Sequence, residues 1–198
     1  SMAVVLTTGV GSLPFTRSND AVMHVLKNYS LPLRPQLPRL DTAPQESGMP
    51  QMLLELLTPE MLVLLKRRDA HQVMRLLQED ASAAECIAHF PCWRELLLQS
   101  SEQPTLKTQL AGPLTLARMI SLYVPEIPAA ALEAAAHSWV ERLSTAMIEE
   151  ASAVQKVLYL IWDDGTIKAT HGSALTVRLS AFISRLPKNV HFGFHSCA

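Results

Sequence analysis

His195 and Cys197 stand two residues apart at the end of the apolar run Val190–Phe194. Side chains alternate faces along a strand, so an imidazole and a thiol at this spacing point the same way. Together they are zinc-type ligands, and zinc asks for four, or for three and an open position. A buried cysteine is also common as inert packing, so the spacing admits both uses. Three further clusters occupy the same relative place, each just after an apolar run: Gly11-Ser12, Gln109 with Gly112-Pro113, and Asp163-Asp164. Backbone N–H groups around Gly9 and Gly11 suit an anion or a substrate carboxylate, or simply a turn. Adjacent carboxylates suit an amine or a metal, or the cap of a following helix. In parallel α/β proteins, ligands bind at the end of the strands where these clusters fall.

The elements that must position them follow from the apolar pattern. Ala3–Thr8, Thr105–Leu110, Val157–Trp162 and Val190–Phe194 read as strands, and Val157–Trp162 is the unbroken run of a strand covered on both faces. Leu31–Leu40 carries Pro32, Pro35 and Pro38, which limits it to a short extended piece. Asn19 or Asp20 can cap a first helix with Val22, Val25 and Leu26 inward. Met49 to about Ser100 is helical in character, with Pro59 and Pro91 at helix starts and a Leu/Met stripe that suits a core or an interface. Ala129–Gln155 is the clearest helix, alanine-rich with apolar residues at three-to-four spacing, and Ser173–Leu186 is another. His71, His89 and His137 fall in helical stretches and read as partly exposed or hydrogen-bonded residues. His191 shares the parity of His195, and His171 lies in the loop after the aspartates.

Composition bounds the rest. The chain has 198 residues, 48% of them apolar, and a formal net charge of −1 without blocks of like charge. That is enough to fill one core, and it carries no nucleic-acid footprint. No apolar stretch suits a bilayer span or a signal peptide. Cys86, Cys92 and Cys197 have neither disulfide-framework nor zinc-knuckle spacing, which points to a reducing, cytoplasmic setting. Ser1 before Met2 reads as a tag remnant, leaving one α/β domain over 2–198.

Read together, the clusters resemble the cobalamin-independent methionine synthase family, in its C-terminal catalytic barrel and the short stand-alone relatives. Thr7-Thr8-Gly9-Val10-Gly11-Ser12-Leu13-Pro14 is similar to that family's Thr-Thr-x-x-Gly-Ser-x-Pro, and Pro35-Gln36-Leu37-Pro38 to a segment of the stand-alone relatives. Lys107-Thr108-Gln109-Leu110-Ala111-Gly112-Pro113-Leu114-Thr115 resembles its Lys-Gly-x-x-Thr-Gly-Pro-x-Thr. Trp162-Asp163-Asp164-Gly165 stands in the place of Asp-Glu-Pro, and His195-Ser196-Cys197 in that of His-x-Cys. The resemblance implies a TIM-type (βα)8 barrel, here truncated to about five strands with a helical insertion after the second. It also implies zinc-dependent methyl transfer from a methylated folate to homocysteine. Gly11 and Ser12 would hold the amino-acid end of the substrate, Asp163 would meet its ammonium group, and His195 and Cys197 would ligate the zinc; Gln109 and Asp164 are expected among the substrate-binding residues.

The family's remaining zinc ligands, a glutamate and a second cysteine, have no counterpart after Cys197, and its Glu-Pro has become Asp164-Gly165. The expectation is weak zinc binding by this chain alone, a homodimer built on the apolar stretch Met49–Leu65, and no nucleic-acid or membrane partner. A non-catalytic truncated-barrel relative, acting as a dimeric binding or structural protein, is the alternative. The related uroporphyrinogen decarboxylase chemistry fits less well, because no arginine cluster lies near Gly11.

Overall fold

A computed structural model describes residues 6–9, 13–37, 51–165 and 172–196. Helix α1 (Ser18–Asn28) is followed by five short helices, α2 (Gln51–Leu54), α3 (Pro59–Lys66), α4 (Ala70–Leu76), α5 (Asp80–Ala88) and α6 (Trp93–Gln99). Strand β1 (Thr105–Ala111) comes next, then α7 (Pro113–Tyr123), α8 (Ala129–Ala153), β2 (Val157–Asp164), α9 (Gly172–Ser184) and β3 (Val190–Ser196). Pro59 opens α3 where its missing N–H costs nothing, and the Thr58 hydroxyl accepts from the Met61 N–H.

The described residues form a three-stranded parallel sheet in the order β1-β2-β3. This overturns the expected barrel of about five strands. Residues 6–9 are not a strand; Thr7 binds the Ser30 hydroxyl and receives the Leu31 N–H at 2.9 Å. The segment 31–37 is extended beside β1 but joins the sheet by no continuous ladder: Leu33 makes an isolated parallel bridge to Lys107, and Gln36 is a second isolated bridge residue. The reason is local: in the register that pairs Leu33 with Lys107 the even-numbered residues face β1, and Pro32 has no N–H to give it. The expected helical insertion is also displaced, since α2–α6 precede the first strand of the sheet rather than following its second.

Even-numbered residues of the strands make the core face. Leu106, Leu110, Leu158, Leu160 and Trp162 are fully buried there. Trp162 stacks on Phe182 of α9 with ring centroids 4.7 Å apart, meets Phe192 edge-on, and donates its indole N–H to the Ser144 hydroxyl of α8. Of the apolar stretch Met49–Leu65, the described part from Gln51 on folds inward: Leu53, Leu56, Leu57, Met61 and Leu65 are buried in the chain's own core. Among the described residues, no helix is long and apolar enough to cross a membrane.

His137, on α8, is neither exposed nor hydrogen-bonded as its helical setting suggested. It is 4% exposed, packs edge-on to Trp162, and among the described residues has no hydrogen-bond partner on either ring nitrogen; Glu141 is 3.8 Å away. Burial, with Arg178 and Arg185 nearby, pushes its pKa down to about 4 from 6.5. In that interval the unfolded chain binds the extra proton, so stability is complete above about pH 6.5 and is lost as pH falls toward about 4. Between about pH 7 and about pH 5 the loss from this group is expected to be on the order of 2 kcal/mol. His137→Leu should remove that loss and hold or raise stability at neutral pH, because an unsatisfied polar group is replaced by an apolar one. Urea unfolding at both pH values checks this; equal acid sensitivity in the two proteins would contradict it.

Candidate functional site

The two ends of the sheet are built differently. At the N-terminal end, polar groups are tied mainly to the backbone: Lys156 Nζ donates to the carbonyls of Ser100 and Gln103, and Asn189 to the Lys156 carbonyl and the Ser152 hydroxyl. At the C-terminal end, side chains bind one another across all three strands. Gln109 Nε2 of β1 donates to Asp163 Oδ2 of β2 at 2.8 Å, and His195 Nδ1 of β3 lies 2.9 Å from Asp163 Oδ1. A carboxylate only accepts, so His195 carries its proton on Nδ1. Asp163 and His195 are register partners, which is why one carboxylate spans both neighbours.

These residues share the odd-numbered face of the sheet, opposite the Trp162 core. Tyr159, Ile161 and Asp163 of β2 are half-buried there, and His191 and His195 of β3 are exposed. His191 stacks on Tyr159, with centroids 4.6 Å apart. Gly193 lets the Ile161 side chain lie across β3: a Cβ at 193 would stand 2.6 Å from Ile161 Cδ1. Among the described residues, helices fill one face of the parallel sheet; the other is half-buried to exposed along β2 and β3 and polar toward its C-terminal edge, while Lys107 of β1 is buried on it.

Asp164 goes the other way. It is 1% exposed, and its carboxylate accepts from the backbone N–H groups of Leu114, at 3.3 Å, and Thr115, at 2.8 Å, at the start of α7. Gly112 makes room for it, since a Cβ there would stand 2.2 Å from Asp164 Cγ. Burial raises its carboxyl above the usual range, and the Thr115 and Leu114 donors offset part of that rise. Of the residues singled out in the sequence, then, Gln109, Asp163 and His195 meet, and Asp164 caps a helix. Gly11, Ser12, Cys197 and His171 lie outside the described residues.

Sequence reasoning missed the support beneath Gln109. Arg34, on the extended segment beside β1, is fully buried and pairs through two nitrogens with Glu55, at 2.5 and 3.1 Å. The same guanidinium donates to the carbonyls of Gln109 and Pro91 and lies 4.1 Å over the Phe90 ring. No short motif signals this pair, whose members are 21 residues apart. Cys86 donates to the Glu55 carbonyl, and burial pushes the Cys86 thiol up to about 12 and the Cys92 thiol to about 11. Thiols so protonated are inert as nucleophiles or ligands.

Compared with family models, with curated proteins and with solved structures, the chain gives no match. The geometry therefore has to carry the functional reading. Among the described residues no three metal-binding side chains cluster. At His195 the described residues supply one imidazole held by a carboxylate, and Cys197 lies outside them. A carboxylate on Nδ1 fixes tautomer and ring orientation and raises basicity, the role that outer-shell carboxylates play for metal-bound histidines.

Proposed function

We propose that the C-terminal edge of the sheet binds a small thiol-bearing amino acid of the homocysteine type, and that the protein is a relative of the cobalamin-independent methionine synthases. In this reading it transfers a methyl group from a methylated folate to the thiol. The observation that supports it is the Gln109–Asp163–His195 network, in which one carboxylate ties together the ends of three strands. His195, with Cys197 two residues on, would hold zinc; a bound zinc lowers a thiol's pKa so that thiolate is present at neutral pH. Asp163 keeps the imidazole in the ligating tautomer and offers negative charge to a substrate ammonium. Gln109 holds Asp163 from the β1 side and limits its rotation.

The test is methyl transfer to homocysteine by the full chain with added zinc and a methylated folate, alongside zinc affinity from competition with a chromophoric chelator. Asp163→Asn should weaken zinc binding and slow transfer by about 10–100-fold, the usual cost of removing an outer-shell partner. Homocysteine binding without any transfer would favour the non-catalytic relative. Neither binding nor transfer would overturn the reading.

A further inference from the structure

Lys107 lies on the same face of β1 as Gln109, one strand step deeper, and it is only 8% exposed. Its backbone is fixed on both sides by the extended segment: the Lys107 N–H donates to the Pro32 carbonyl at 2.9 Å, and the Arg34 N–H to the Lys107 carbonyl at 2.8 Å. The ammonium has three N–H groups to place. One reaches the Gly9 carbonyl at 3.0 Å, and among the described residues no carboxylate lies within ion-pair distance. Other buried charges in this protein are treated otherwise. Arg34 has Glu55, and Lys156 has two carbonyls at the opposite end of the sheet. A buried ammonium without a counter-charge is costly, and burial pulls the pKa of Lys107 below its usual value. Beside it is a crevice of about 10 Å³, lined by Leu33, Arg34, Gln36, Lys107 and Gln109, with room for a single oxygen-sized atom.

We infer that Lys107 is the anion anchor of the site and takes the carboxylate of the substrate, one carboxylate oxygen entering the crevice between Gln36 and Gln109. This rests on the amino-acid reading above, and it makes the site bipolar. Asp163 faces the ammonium end at the rim of the sheet, and Lys107 faces the carboxylate end deeper in. A ligand with both charges at α-amino-acid spacing is then selected over a simple thiol or a simple amine. Lys107 is a specificity residue in this scheme and takes no part in bond making.

Thermal unfolding and calorimetric titration of the full chain and of Lys107→Met test it, with homocysteine, its carboxylate-free counterpart 3-aminopropane-1-thiol, and acetate as probes. Methionine keeps the length and apolar stem of lysine without the charge. The wild-type chain should bind homocysteine about tenfold more tightly than Lys107→Met does, and about tenfold more tightly than it binds the aminothiol, the ordinary worth of one charge-assisted contact. Acetate should raise the unfolding midpoint of the wild type only, and without ligand Lys107→Met should unfold at the same midpoint or higher. Homocysteine silent on both proteins, with acetate acting on the wild type alone, would retain the anchor and remove the amino-acid reading. An equal response of the two proteins to both carboxylates, including none, overturns the anchor. So does a lower ligand-free midpoint in Lys107→Met, which would mark the lysine as a strap to Gly9.

Discussion

Glu55→Ala is expected to cost about 3–5 kcal/mol of unfolding free energy, the largest single-residue effect outside the apolar core. The reason is the charge it leaves behind. Arg34 is fully buried, and without Glu55 its guanidinium keeps, among the described residues, only carbonyls, the Thr108 hydroxyl and the Phe90 ring. Burial raises the carboxyl pKa of Glu55 itself, with Arg34 pulling it back down, so the pair is held together against desolvation from both sides. The double variant Arg34→Met/Glu55→Leu should recover most of the loss, because two apolar side chains of similar volume carry no desolvation cost. Urea unfolding of the three proteins at neutral pH decides the matter. A single-variant loss under about 1 kcal/mol is the value for a solvated surface pair and would contradict the buried one. Since Arg34 also holds the Gln109 carbonyl, Glu55→Ala should loosen the β1 side of the site in proportion, read as faster exchange of the neighbouring strand amides.

Gly112→Ala is the second large effect. The new Cβ would stand 2.2–2.5 Å from the three outer atoms of the Asp164 carboxyl group. Asp164 cannot stay, and its displacement forfeits two charge-assisted hydrogen bonds to the first turn of α7. The expected cost is about 3 kcal/mol, from two such bonds and a buried carboxylate left without donors. Asp164→Ala in the same background relieves the clash, so the double variant should be no worse than Asp164→Ala alone. Additive losses would show that the glycine matters for some other reason. Because Asp163 is the next residue, displacement of Asp164 should also disturb the contact to His195, visible as a shift of the His195 ring resonances.

The pair Asp163-Asp164 shows where the sequence stopped being informative. Both uses, ligand binding and helix capping, were open at either residue. Once β2 runs unbroken through Asp164, the pleat sends the two side chains to opposite faces. Asp163 goes to the face opposite the Trp162 core and Asp164 to the helix. Sequence placed the apolar run of this strand at Val157–Trp162, but its polar end is strand as well, because the register pairs Asp163 with His195 and Asp164 with Ser196. A run of hydrophobic residues marks where a strand is buried, not where its ladder ends. His137 differs for a related reason: the helical pattern located it, but only tertiary packing, with Trp162 against its ring, made its surroundings dry, and Arg178 and Arg185 add positive charge nearby.

By itself the sequence determined the local elements: alanine and leucine at helical spacing in α8, the unbroken apolar run of β2, and the chemistry-bearing residues at strand ends. These are set by interactions within a few residues, and a single chain segment contains them. The tertiary structure alone decided that the sheet has three described strands, that His191 and His195 are exposed on the face opposite the Trp162 core, and that Arg34 finds Glu55. It also decided that Lys107 is buried away from any described carboxylate. Strand count, the partners of buried charges and the exposure of each sheet face depend on segments far apart in the chain, whose meeting is fixed by packing and not by any local pattern.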